Sequence, residues 1–357
     1  MDTLIHAQPA GDAGTPPLPV VERYRPQFSG QTGEYFGIWF VNLLLSIATL
    51  GIYSAWAKVR TQRYFYGNTR LAGASFDYLA DPISILKGRL IAYAFVISLG
   101  LAARFSLGLY AAMIFFLFFA MPAVMVLSLR FRARNSAWRG VTFGFDETVG
   151  AAYGPFLGWP ILSSMTGSLL YPSMKMRQQE FVLEGHRFGK ARFSFHGELG
   201  DYWKVYGVVL GLALVAIVGV VVSASMMRDG GLGDGASMGL AIIGVLYLGM
   251  FLAMIFLRVR FANLFWSNAR LGDHRFESTL RARDMLWLYA SNAVAIVCTI
   301  GLAVPWAMMR LARYRAEHFA VVATGSLEGF VAESSMKTGA AGAELVDALD
   351  TGLDFGF

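Results

Sequence analysis

One cysteine, Cys298, in 357 residues excludes a disulfide within the chain. Charge is scarce too: 15% of residues are charged, against about 25% in an ordinary soluble domain. The five histidines, His6, His186, His196, His274 and His318, are scattered and have no metal-site spacing, so neither metal nor cofactor is expected. The apolar stretches hold no Asp, Glu or His, which leaves no midplane acid for a proton relay or an ion-coupled carrier. The N-terminal stretch has no charged region leading into an apolar one, so it does not read as a signal peptide.

What is abundant is apolar: 56% of residues are hydrophobic and 14% aromatic, with a mean hydropathy of +0.50. Uncharged runs lie at 36–57, 90–103, 105–129, 150–173, 205–227, 238–257 and 285–309. About 20 apolar residues cross the hydrocarbon of a bilayer. The composition therefore predicts an all-α polytopic membrane protein with about seven hydrophobic segments. Short links at Ala103-Arg104-Phe105 and at 228–235 make hairpins of two pairs, four clear spans in all. The chain divides into a disordered tail at 1–27, a membrane domain at 28–330 and a second disordered tail at 331–357. Almost all of the 30 basic residues fall in the N-terminal approach or in clusters at 58–89, 130–139, 175–204, 258–283 and 310–315. Such clusters favour the cytoplasmic side, and seven true crossings would force some of them outward.

Internal repetition offers a way out. Asn42, Thr49, Gly51, Trp56, Ala57, Arg60, Arg63 and Tyr64 return at a constant offset of 250 as Asn292, Thr299, Gly301, Trp306, Ala307, Arg310, Arg313 and Tyr314. Thr166, Pro172, Arg177 and Phe181 form a fainter third copy. Outside these runs, Phe28-x-Gly30 pairs with Phe195-x-Gly197, and Arg60, Asn68, Arg70, Leu71 and Phe76 with Arg260, Asn268, Arg270, Leu271 and Phe276. Between the same landmarks one copy holds a single apolar segment and the other a whole hairpin, so the single segment is expected to turn back as well. Two readings stand for 36–57, 150–173 and 285–309: re-entrant half-helices broken near Thr49-Leu50-Gly51 and its equivalents, or plain spans. Backbone that leaves the helix at membrane depth has to be satisfied by protein or water.

The links at Asn68–Phe76, Asn135–Phe143, Phe181–Phe195 and His318–Phe330 alternate aromatic and β-branched residues around Asn or Gly turns, and read as short strands of a small cytoplasmic β-layer. The string from Thr49-Leu-Gly-Ile-Tyr through Trp56-Ala-Lys-Val-Arg60 to Arg63-Tyr64, Asn68-Thr69, Leu71-x-Gly73, Phe76 and Leu86-Lys87-Gly88 resembles the YjgN-like family over roughly residues 28–330. That resemblance implies a multi-pass bacterial inner-membrane protein with a domain of unknown function, and brings no catalytic residues.

Chemistry is thin. Gly230–Gly235 lacks the strand and the Lys-Ser or Lys-Thr of a phosphate loop. Ser163, Ser164 and Ser291 have no evident base and suit contacts between helices. Asn42, Thr49, Asn292 and Thr299 are candidates for a polar pathway, against the alternative of hydrogen bonds that hold helices together. Trp56, Arg60, Arg63, Tyr64, Trp306, Arg310, Arg313 and Tyr314 read either as an aromatic belt with a topology signal or as contacts for anionic lipid headgroups. Nucleic acid is not an expected partner, since every basic cluster lies near the bilayer. A transporter or channel for a lipid or uncoupled solute leads, a membrane scaffold stands as the alternative, and an enzyme is not expected.

Overall fold

Apolar segments that leave water have to close their backbone hydrogen bonds internally, so each becomes helix. The computed structural model describes residues 21–228 and 235–335. Four of its helices are long and apolar enough to cross a membrane: α3 (Pro82–Phe105), α4 (Leu107–Arg134), α8 (Leu199–Arg228) and α9 (Gly235–Ser267). The reversal between α3 and α4 takes one residue. Ser106 is extended, and its hydroxyl accepts the Leu109 N–H at 3.2 Å to start α4. The link expected at Ala103-Arg104-Phe105 thus belongs to α3, which runs on through Phe105. The candidate loop at 230–235 lies almost wholly outside the described residues.

The three remaining apolar segments are broken. They are α1 (Thr32–Ala48) with α2 (Ser54–Gly67), α10 (Ala282–Cys298) with α11 (Val304–Glu317), and a middle segment of α5 (Val149–Tyr153), a π-helical turn at Gly154–Gly158, α6 (Trp159–Met165) and α7 (Tyr171–Gly185). Each break puts two successive residues at positive φ: Leu50 and Gly51 at 50° and 92°, Gly167 and Ser168 at 59° and 69°, Ile300 and Gly301 at 50° and 90°. The second of each pair donates its N–H back to the preceding helix, from Gly51 to Ser46 and Ser168 to Ser163 at 2.7 Å, and from Gly301 to Ile296 at 2.8 Å. The repeated threonine serves both halves. The Thr49 hydroxyl donates to the Leu45 carbonyl at 2.8 Å and accepts the Tyr53 N–H at 2.9 Å, while Thr299 does the same for Ala295 and Ala303 at 2.7 and 2.9 Å. Leu50 and Ile300 stand 94% and 95% exposed at the tips.

Between helical excursions run tight β-hairpins: β3 (Thr69–Leu71) with β4 (Ala74–Tyr78), β5 (Ser136–Trp138) with β6 (Val141–Phe145), β7 (His186–Phe188) with β8 (Ala191–Phe195), and β9 (Ala269–Leu271) with β10 (His274–Ser278). With β1 (Val21–Tyr24), β2 (Gln27–Phe28) and β11 (Phe319–Thr324) they make one antiparallel eleven-stranded sheet in the order β1-β11-β10-β9-β8-β7-β6-β5-β4-β3-β2. This corrects the all-α expectation, because the isolated hairpins pair sideways. An isolated hairpin is marginal in water, but each helical excursion returns its ends as paired neighbours. The pairs are Phe28 with Thr69, Tyr78 with Ser136, Phe145 with His186, Phe195 with Ala269, and Ser278 with Phe319. Edge strands β1 and β2 are separated only by Arg25-Pro26, so the sheet curls until its edges lie within about 11 Å, three Cα steps. The helices contact one another in chain order, and α11 closes the circuit against α1.

One latch recurs at every foot. Ser29, Leu79, His196 and Thr279 donate backbone N–H to the carbonyls of Asn68, Asn135, Asn268 and His318, and Asp146 to that of Gly185, all at 2.9 Å. The side chains of Asn68, Asn135 and Asn268 donate to the carbonyl four residues back at 2.8–2.9 Å, and the rings of His186 and His318 take the same position. The Asn68 and Asn268 repeat is therefore two-fifths of a five-fold pattern. β1 falls within the stretch read as tail, and α12 (Leu327–Ser335) carries the described chain past residue 330.

The strain at the breaks gives a test. Gly301 sits at φ +90° with open space where a Cβ would be, so Gly301→Ala meets only the left-handed backbone penalty, on the order of 1 kcal/mol. Thermal unfolding in detergent is expected to shift down by a few degrees, with Gly67→Ala, where a Cβ is also unobstructed and the backbone is ordinary, unchanged.

Candidate interior site

Three cavities run together inside the ring. One of about 490 Å3 is lined by Phe65, Tyr66, Thr69, Phe76, Arg132 and His186 among others. A second of about 620 Å3 shares Thr69 and Phe76 with it and adds Arg258, Trp266 and Arg315. The largest, about 1050 Å3, shares Arg258, Ala262 and Trp266 with the second and lies where α4, the π-helical turn, α7, α8 and α9 converge. Arg132, Lys175, Arg258 and Arg315 line these spaces, and among the described residues no carboxylate does.

The repeated aromatic and Gly positions frame this interior. Phe28 and Phe195 fold their rings back against Gly30 and Gly197, where a Cβ would come within 2.5 and 2.3 Å of ring carbon. Tyr64 accepts the Gln31 N–H at 2.9 Å and Tyr314 the Arg281 N–H at 3.0 Å, each tying the end of one half-segment to the start of the other.

At the hairpin-turn end of the sheet, α12 fills the opening. Leu327 is buried with Leu71, Trp138, Val141, Phe188, Leu271 and Val321, residues drawn from six strands. Phe330 meets His274 edge-on at 4.4 Å and stacks on Phe188 at 6.2 Å. The Ser334 carbonyl comes so close to Gly189 that a Cβ there would lie 2.4 Å away. His274 is buried, and its Nδ1 accepts the Thr324 N–H at 3.3 Å, which requires a neutral ring; burial holds its pKa below 6.5, with Asp273 opposing.

The twelve residues singled out in the sequence lie on the broken segments, and none lines the three cavities. Thr49 and Thr299 join the halves at the breaks. Asn42 donates to the Ala57 carbonyl at 3.5 Å across the break, and its Oδ1 is buried without a partner. Asn292 accepts from Arg310 at 3.3 Å; Arg310 also bonds Ser291 at 2.7 Å and lies over Trp306 at 5.1 Å. Arg63 reaches the Tyr78 and Ala80 carbonyls at 3.4 and 3.5 Å, and Trp56 packs against the cluster of Ala55, Val59 and Tyr78. Arg60 and Arg313 are exposed. Lys175, Arg258 and Trp266 were not singled out; Lys175 and Arg258 are 83 residues apart, and the visible signal was that each opens a basic cluster just after an apolar run. Among the described residues no group of three His, Cys, Asp or Glu side chains converges.

Residues 23–348 match the family described as bacterial protein of unknown function (DUF898), and the chain belongs to that family. The inner membrane protein YjgN of Salmonella typhimurium is 27% identical over 343 residues, covering 82% of this chain and 86% of that protein. The inner membrane protein YjgN of Escherichia coli O157:H7 is 26% identical over 255 residues, or 71% of this chain and 52% of that protein, so the match spans about half of that relative. No solved structure matches the chain. With four span-capable helices and these relatives, the chain is a multi-pass inner-membrane protein.

The His274 geometry yields a pH dependence. A histidine whose folded pKa is depressed stabilises fully above its ordinary value and loses that contribution as pH falls from about 6.5 toward the lower folded value. Amide exchange in β11 and α12, corrected for intrinsic rate, is expected to accelerate between pH 7.5 and 5.5. His274→Asn, which keeps an acceptor near the Nδ1 position but does not titrate, is expected to flatten the response.

Proposed function

We propose that this inner-membrane protein is a non-enzymatic carrier or channel for a lipid or an uncoupled small solute, which passes through the interior of the helix ring. The observation that carries this reading is the contiguous chain of cavities, basic and apolar, leading from between the helices to the mouth of the curled sheet. Three helical segments that stop short and turn back support it, since broken segments around a cavity are a recurrent device of transport folds. On this reading the four long helices span, the three broken segments re-enter, and all strands lie in the cytoplasm. The pairing of each segment's two ends in one sheet and the basic residues at the sheet-side feet both favour that arrangement. The exposed Arg60 and Arg313 then lie near anionic headgroups at the cytoplasmic surface. A closed scaffold is the competing reading, and α12 in the sheet opening is what favours it.

Two measurements decide. In cells carrying Cys298→Ser and one introduced cysteine, an impermeant thiol reagent added outside is expected to label Ser106→Cys and to leave Gly33→Cys and Gly67→Cys unlabelled. Labelling at one of the latter two alone would make 36–57 a plain span. In proteoliposomes with fluorescent phospholipid, dithionite is expected to bleach beyond the outer-leaflet half, and bleaching equal to that of protein-free vesicles would move the reading from lipid transport to the scaffold.

A further inference from the structure

We propose that Lys175 and Arg258 form the head-binding site for an anionic amphiphile, a phosphate or carboxylate joined to an apolar tail, in the largest interior cavity. This rests on the transport reading only for its role, since the site is argued from its own chemistry. Lys175 is half-buried and Arg258 more exposed; both line the same space and repel one another. Neither makes a hydrogen bond or ion pair with any described residue, whereas Arg177, two residues on from Lys175, pairs with Glu180 at 2.7 Å. Two cations facing one space without a counterion, one of them partly withdrawn from water, are unfavourable, and an anion between them relieves both the repulsion and the lost solvation of Lys175.

The rest of the lining sharpens the ligand class. The Gln178 amide N–H donates to the Pro155 carbonyl at 3.1 Å and that of Gln179 to the Phe261 carbonyl at 3.0 Å, while Tyr202 donates to the Gln179 oxygen. Tyr206 donates to the Ser168 carbonyl at 2.9 Å. These polar groups are already engaged, so the ammonium and the guanidinium are the charged donors left for a ligand, beside the neutral Ser168, Tyr171 and Trp266. Around them stand Met125, Phe156, Val209, Met250, Met254 and Leu257, an apolar wall rich in the adaptable thioether side chain. With about 1050 Å3 the cavity stands at the upper end of ligand sites, roughly 300–1000 Å3, which is room for a head and a chain and more than a bare anion fills.

The test uses the full chain in zwitterionic nanodiscs, with dodecyl phosphate, phosphatidylglycerol and inorganic phosphate as probes and native mass spectrometry as readout. Wild type is expected to retain one dodecyl phosphate or phosphatidylglycerol, and Lys175→Gln/Arg258→Gln to bind either at least tenfold more weakly. The charge-keeping Lys175→Arg/Arg258→Lys is expected to retain binding, which separates charge from misfolding. Arg192→Gln/Arg283→Gln removes two exposed charges elsewhere and is expected to bind as wild type. Equal affinity in wild type and the double glutamine variant, or an equal loss in the exposed-charge variant, would overturn the site. Inorganic phosphate bound as tightly as dodecyl phosphate would overturn the amphiphile. Lost binding without any bleaching in the proteoliposome assay upholds the site and removes the transport reading; bleaching with unchanged binding does the reverse.

Discussion

The foot of each helical excursion is the constraint on which this structure depends. A segment in hydrocarbon can satisfy its backbone only as helix, and a strand only where a partner strand is waiting. The chain answers by sending every helix out and bringing it back beside its own starting point, where one backbone bond of 2.9 Å and one side chain folded onto the preceding turn fix the junction. Long apolar helices and short broken ones meet this condition equally, which is why α3–α4 and α1–α2 deliver strands in the same relation. Five such junctions place ten short strand ends side by side. Strands of three to five residues that would not persist alone become one sheet, and its two free edges, β1 and β2, are consecutive in the chain, where the curl of the sheet brings them together rather than leaving long open edges.

Much of that frame was legible. The Thr-x-Gly spacing gave the breaks because a threonine that back-bonds and a glycine at positive φ are what a reversal inside an apolar run needs. Asn and Gly turns gave the hairpins, since two residues at positive φ, such as Ala72-Gly73 and Arg139-Gly140, suit the twist of paired strands. A small β-layer was expected, but its strand order and its extent to eleven strands were not legible. Pairing Phe195 with Ala269 joins residues 74 apart through an intervening helical hairpin, and no local pattern encodes such a neighbour. Nor was α12: Leu327, Phe330 and Val331 have helical spacing, but nine residues are too few for periodicity to separate a docked helix from a tail. The aromatic and cationic ends of α2 and α11 read as a surface belt from composition alone, while Arg63, Tyr64, Arg310 and Tyr314 carry internal bonds that only the fold reveals.

The repeats also separate frame from contents. Counting three residues back from each junction residue gives Phe65, Arg132, Leu183, Phe265 and Arg315, one from every excursion. Four of these line the interior cavities at the level where helices give way to sheet. Counting ten back gives Lys58, Met125, Met176, Arg258 and Met308, of which Met125 and Arg258 line the largest cavity. One structural position is thus occupied by an aromatic, an aliphatic or an arginine without disturbing the latch beside it. Basic residues at helix feet serve orientation wherever they point, so the topology signal constrains their number and not their direction. Direction separates Arg60, which lines none of the three cavities, from Arg132 and Arg258, which reach the same interior from unrelated parts of the chain, although all three are exposed. Among the described residues, an interior lined by cations and no carboxylate is therefore a property of these side chains and not of the fold that holds them.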